Sequence, residues 1–213
     1  MSSGKIYVFD LDETLISSTN GVIITNPNII ERIYAAVQLR NSNKGVDALL
    51  LLTNNLNMVS KSYGKMTVEF KDGFVTQALV KIVEAYNVLC VNNRTAPVAN
   101  ADEIFDTVYT AEQKFFNSGR RTRGKVPVKN IATVVNMLRE IKGKTISLAD
   151  LENRIFFFDD DSSHELKKQI SKSGYIKINP PFGYGPNATR YKNVNRFHKD
   201  VSGGRRKTYR LRK

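Results

Sequence analysis

The 213-residue sequence predicts an α/β protein built on a doubly wound parallel sheet, followed by a basic C-terminal tail. Three observations carry that expectation. Apolar strand-formers recur between segments with helical spacing. The first three such segments run strand, helix, strand, a unit that is almost always parallel and right-handed. Three of the strands end directly in clusters of acidic, hydroxyl or amide side chains.

Residues 5–9, "KIYVF", are β-rich and alternate little, as suits a strand buried on both faces. From Asn28, Ile29, Ile30, Ile33, Ala36 and Val37 recur at helical spacing, with Pro27 placed for a first turn. Asp47 to Leu52, "DALLLL", predicts a second buried strand. Residues 74–86 then read as an amphipathic helix, 87–93 ("NVLCVNN") as a short strand and 101–116 as a further helix. A polar, basic loop spans 117–127. A helix over 128–141 follows, on which Ile131, Val134, Val135, Leu138 and Ile141 share a face. Residues 154–161, "RIFFFDDD", predict a strand ending in acids, and "GYIKIN", 174–179, a last strand.

Composition bounds the class. A hydrophobic share of 41% supports a real core. With one cysteine, Cys90, the chain cannot close an internal disulfide, and that residue reads as packed and inert. No apolar run approaches the roughly 20 residues of a membrane-spanning helix, and the N-terminus lacks a signal pattern, so an intracellular protein, cytoplasmic or nuclear, is expected. The net charge of +13 is concentrated: residues 190–213 hold ten Lys/Arg and one acid, Asp200. Residues 1–189 are therefore expected to form the folded domain, with room for a small insertion within 56–128, and 190–213 a flexible tail. Tyr191 and Tyr209 among those cations would suit contact with nucleic acid, an import or packaging signal fits equally, and a solubilising tail is the plain alternative.

Parallel strands would bring Asp10–Thr14, Thr53–Asn55 and Asp159–Asp161 to one carboxyl edge, where ligands of open α/β sheets bind. Carboxylates from two strand ends make a hard-oxygen site suited to Mg²⁺. Thr53 could bind a phosphate there or merely cap the following helix. A nearby lysine would balance the charge: Lys129 in the first turn of its helix, or Lys125. Asp161 and His164 read as capping or surface residues.

"DLDETL", residues 10–15, resembles the D-x-D-x-T signature of the haloacid dehalogenase (HAD) superfamily. Thr53 after an apolar strand, a lysine at or before a helix, and Asp159-Asp160 after "IFFF" are similar to its other three motifs, in the same order. The resemblance implies a Rossmann-like HAD fold, capless or with a small insertion, and a phosphatase that cuts phosphomonoesters through an aspartyl-phosphate. Asp10 would be the nucleophile and Asp12 the general acid and base. Thr53 and Lys129 would orient and neutralise the phosphoryl group. Thr14, Asn54 and Lys125 would touch the substrate. Mg²⁺ would be held by Asp10, the backbone carbonyl of Asp12, and Asp159 and Asp160. Glu13 makes the motif similar to that of phosphatases acting on the RNA polymerase C-terminal tail, which points to a phosphoprotein or nucleic-acid end as substrate. Thr53-Asn54-Asn55 and the absence of Trp depart from that subfamily, and look more like small HAD phosphatases of nucleotides or other small molecules. The Gly-Gly and Arg/Lys ending resembles the C-termini of proteins of large DNA viruses. A catalytically weak HAD-fold protein that binds nucleic acid through its tail is the alternative from another class.

Overall fold

β1 (Lys5–Phe9) runs through the centre of a five-stranded sheet in a computed structural model that describes residues 4–19, 21–63, 65–110 and 129–179. The sheet order is β7 (Thr107–Tyr109), β4 (Val46–Leu52), β1, β8 (Ile155–Asp159), β9 (Tyr175–Lys177), and all four pairings are parallel. The chain builds outward from β1 through β4 to β7, then crosses back to lay β8 on the other side of β1. The topological switch point thus falls between β1 and β8.

Both faces of the sheet are covered, which explains why its strands read as continuous apolar runs. Tyr7, Phe9, Leu49, Leu51, Phe156 and Phe158 face one core, shared with α1 (Pro27–Asn41) and α2 (Phe74–Asn92). Phe9 and Phe158 stack there with ring centroids 4.7 Å apart. Ile6, Val8, Leu50, Leu52, Ile155 and Phe157 face the other core, beneath α3 (Ile131–Arg139) and two short helices, α4 (Leu151–Arg154) and α5 (Glu165–Gln169). The expected α/β parallel sheet is present.

Several elements differ from the sequence expectation. The strand expected over 87–93 is the end of α2: Phe74, Ala78, Ile82, Tyr86 and Cys90 repeat every fourth residue and keep one buried stripe through Cys90, with the helix running on to Asn92. That stripe overrides the β-propensity of Val88, Leu89 and Val91. At 19 residues α2 is also long and apolar enough, by length and composition alone, to cross a membrane, which corrects the expectation that no such run exists. The helix expected over 101–116 is a single 3₁₀ turn, Ala101–Glu103, followed by β7. The Asp106 carboxylate accepts from the Leu49 amide at 2.8 Å and Arg40 Nη1 at 2.9 Å, pinning the strand to β4. Residues 111–116, the basic loop, Lys125 and the 190–213 tail lie outside the described residues.

Two hairpins stand outside the sheet: β2 (Ile16–Thr19) with β3 (Val22–Thr25), and β5 (Ser60–Tyr63) with β6 (Met66–Glu69). They approach each other closely. A Cβ on Gly21 would lie 2.5 Å from Val68 Cγ1, so only glycine fits there. The second hairpin is the small insertion between β4 and α2, and it is anchored at the start of that helix. Asn57 Oδ1 accepts from the Thr76 amide at 3.0 Å and the Phe74 amide donates to Met58 C=O at 2.8 Å. Asn57 thereby supplies the cap that Gly73, at the N-cap position, has no side chain to provide.

Candidate active site

The pairing of β1 with β8 decides which groups meet. Phe9 lies opposite Phe158, so the next residues along each strand, Asp10 and Asp159, are neighbours at the switch point. The Asp10 amide donates to Phe158 C=O at 2.9 Å, fixing that step. By strand alternation both aspartates point to the face of Val8 and Phe157, which is the face α3 covers.

Lys129 enters from that face. Its helix starts later than the spacing predicts: Asn130 is the N-cap, its Oδ1 accepting from the Thr133 amide at 2.9 Å, and Lys129 precedes the cap rather than sitting in the first turn. Its carbonyl accepts from the Leu166 amide at 2.8 Å, tying the start of α3 to α5. The ammonium, on a residue 1% exposed, lies 2.7 Å from Asp10 Oδ1 and 2.8 Å from Asp159 Oδ2. One buried cation therefore bridges two buried carboxyl groups.

Asp160 completes the acidic set: Asp10, Asp159 and Asp160 each offer a carboxylate oxygen, all within 4.8 Å of one another. This cluster could hold a metal ion. Its donors are all hard oxygens, which fits Mg²⁺ or a similar divalent cation better than a thiolate- or imidazole-seeking metal. Burial pushes the Asp10 carboxyl up to about 6, with Lys129 pulling it down and Asp159 adding to the rise. Burial likewise raises Asp159 and Asp160; Lys129 opposes the first, and the Asp10 charge reinforces the second. Such crowding of acids is relieved when a cation takes the place of protons.

Residues 11–15 wind into one turn in which the Leu15 and Ile16 amides both donate to Leu11 C=O, at 2.9 and 3.0 Å. Leu11 and Leu15 fill the core, while Asp12 and Glu13 remain half-buried at the edge. The Asp12 side chain is not part of the three-carboxyl cluster. It meets Lys61 Nζ at 3.3 Å instead. Glu13 takes a left-handed backbone conformation, φ 54°, and accepts a hydrogen bond from Ser17 Oγ at 3.0 Å. Thr14, expected to touch substrate, is fully enclosed, its carbonyl accepting from Asn26 Nδ2 at 3.0 Å.

Thr53 ends β4 at the same carboxyl edge, buried, its amide donating to Tyr109 C=O at 2.9 Å. Its hydroxyl accepts from the Asn55 amide at 3.1 Å, closing a local turn; no helix begins there, so it caps none. Asn54 is half-buried beside it. Asp161 is a turn residue, accepting from the Ser163 amide and hydroxyl at 2.8 Å each. His164 Nε2 stands 3.6 Å from Asp159 Oδ2 at the edge of the cluster.

The residue that sequence reasoning missed is Lys61. It lies on β5 and reaches Asp12 only because the insertion folds back over α2, where its ammonium sits 3.9 Å from the Phe74 ring centroid. No motif flags a lysine in "SKSY". Asn20-Gly21, a strong hairpin dipeptide, was the available signal for β2–β3. Compared with known proteins, the chain matches no family model and no curated protein.

Proposed function

We propose that the protein is a HAD-type phosphatase, hydrolysing phosphomonoesters through an aspartyl-phosphate on Asp10. The observation that carries this reading is the meeting of Asp10, Lys129, Asp159 and Asp160 at the switch point of a parallel sheet, with Asp12 two residues along on the outer side.

Lys129 fixes Oδ1 of Asp10 and so holds the carboxyl group in one orientation. An Asp10 oxygen forms a bond to phosphorus as the bond to the leaving oxygen breaks, and Asp12 supplies the proton that the leaving oxygen takes. Water then attacks phosphorus, Asp12 receives its proton, and the Asp10–phosphorus bond opens to release inorganic phosphate. Throughout, the Lys129 ammonium offsets phosphoryl charge from a desolvated position, where it acts more strongly than in water. A Mg²⁺ ion held by Asp10, Asp159 and Asp160 would shield further charge on the phosphoryl oxygens. Among the described residues the insertion is a short hairpin rather than a lid, which favours a phosphate carried on a macromolecule, a phosphoprotein or a nucleic-acid end.

Hydrolysis of an aryl phosphate with and without Mg²⁺ tests the reading. The wild-type protein is expected to be Mg²⁺-dependent, and Asp10→Asn to lose activity by about three orders of magnitude or more. Equal rates in both proteins would refute the assignment.

A further inference from the structure

Lys61 is not needed by the chemistry described above, yet among the described residues it is a second cation at the site, on the more exposed side. Its side chain is 21% exposed, against 1% for Lys129, and its partner Asp12 is 35% exposed. We infer that Lys61 is a substrate-binding residue that grips the phosphoryl group from the solvent side, so that the incoming phosphate is held between a buried lysine from the start of α3 and an outer lysine from the insertion. The inference rests on the phosphatase reading and adds to it the residue that captures the substrate.

The position of Lys61 is built. The β5–β6 hairpin is locked to α2 by Asn57 and by the Phe74 amide, and is closed at its base by the Phe70 amide, which donates to Val59 C=O at 2.6 Å. Phe74, 1% exposed, then offers its ring to the ammonium. Cation and ring therefore belong to two elements joined by hydrogen bonds, and the charge is held at the mouth at little further entropic cost. An ammonium has three donors, so it can keep Asp12 and also donate to a phosphate oxygen.

Charge balance supplies the reason for such a residue. Asp10, Asp12, Glu13, Asp159 and Asp160 put five carboxyl groups at this edge. A phosphate dianion must approach against that field, and the effect is largest at the outer edge where it first arrives. Lys129, walled in by Asp10 and Asp159, cannot provide that first contact.

The test compares Lys61→Met, which keeps an apolar stem against Phe74, with Lys61→Arg, which keeps the charge, and with Lys65→Ala as a control in the same hairpin. Two readouts are taken with Mg²⁺ present: KM and kcat for an aryl phosphate, and the rise in unfolding temperature produced by inorganic phosphate. Lys61→Met is expected to raise KM and the phosphate inhibition constant together, by about tenfold, with the loss falling on KM more than on kcat. Its phosphate-induced thermal shift should shrink in parallel, Lys61→Arg should recover most of both, and Lys65→Ala should behave as wild type. Unchanged KM and phosphate binding in Lys61→Met would overturn the inference, as would a fall in kcat alone, which would place Lys61 behind Asp12 rather than on the substrate. If the wild-type protein binds inorganic phosphate but cleaves no ester, the phosphatase reading fails while the thermal shift still decides the role of Lys61. If it does neither, both fall.

Discussion

Lys129 ties the two carboxyl groups of the candidate site together. An ammonium 1% exposed and shared by two buried carboxyl groups forms an ion triad whose desolvation is repaid only while all three members are present. Lys129→Met is expected to destabilise the metal-free protein by about 3 kcal/mol or more, read from denaturant unfolding, because Asp10 and Asp159 would face each other uncompensated. A cost below about 1 kcal/mol would mean that the pair is solvated and that the triad carries little. The sequence places Asp10, Asp12, Thr53, Asp159 and Asp160 at one edge because each terminates or closely follows a buried apolar strand, and strand direction does the rest. Lys129 is legible only as a lysine near a helix start. Lys61 is not legible at all: its distance to Asp12 is set by how an insertion folds over α2, and no local pattern encodes that. Glu13 likewise reads as one more acid, whereas its left-handed backbone is a product of the turn that buries Leu11 and Leu15.

At the scale of elements, the junction between the insertion and α2 governs where Lys61 sits. Gly73 has φ 91° and ψ 152°, a region open to glycine alone, and an added Cβ would fall 2.2 Å from Asn57 Oδ1. Gly73→Ala is therefore expected to cost about 2 kcal/mol or more from backbone strain and lost capping together. Hydrogen exchange should show the β5–β6 hairpin and the first turn of α2 opening faster while β1 and β8 stay protected. Uniform loss of protection would show that the hairpin is not an independent unit. Strands β1, β4, β8 and β9 and helices α1 and α3 are legible from hydrophobic periodicity, since the buried faces dominate those segments. β7 and the end of α2 are misread because local propensity there opposes the tertiary answer: β-formers continue a helix whose stripe is already docked, and a helix-like composition gives way where Asp106 pins the chain to β4. The hairpins are short and half-exposed even where β3 is apolar, and they carry too little buried surface to leave a periodic pattern.

For the whole molecule, the acidic edge makes stability depend on protons and cations together. The Asp10 carboxyl is raised by burial from 3.8 to about 6, against the pull of Lys129. The folded protein therefore holds a proton there that the unfolded chain releases, and this group's contribution to stability is full below 3.8 and lost as pH rises through 6. Asp159, Asp160 and Glu13 are raised in the same direction, each chiefly by burial. Cation binding requires the same oxygens deprotonated. Mg²⁺ or Mn²⁺ is thus expected to raise the unfolding temperature by several degrees at about pH 7.5 and by much less at about pH 5. Asp10→Asn should flatten that difference. A cation effect of equal size at both pH values would place the binding elsewhere.

The order of strands in the sheet also has a consequence in time. β1 is among the first segments of the chain to be made, yet one of its two neighbours, β8, is among the last of the described elements. Until β8 arrives, a half-built sheet presents the edge of its central strand as an open template for other chains. Docking β8 closes that edge and, in the same movement, sets Asp159 beside Asp10. The long sequence separation of that contact makes it a late and slow event in folding. Docking β8 is thus the step of assembly that brings the carboxyl groups of the two strand ends together.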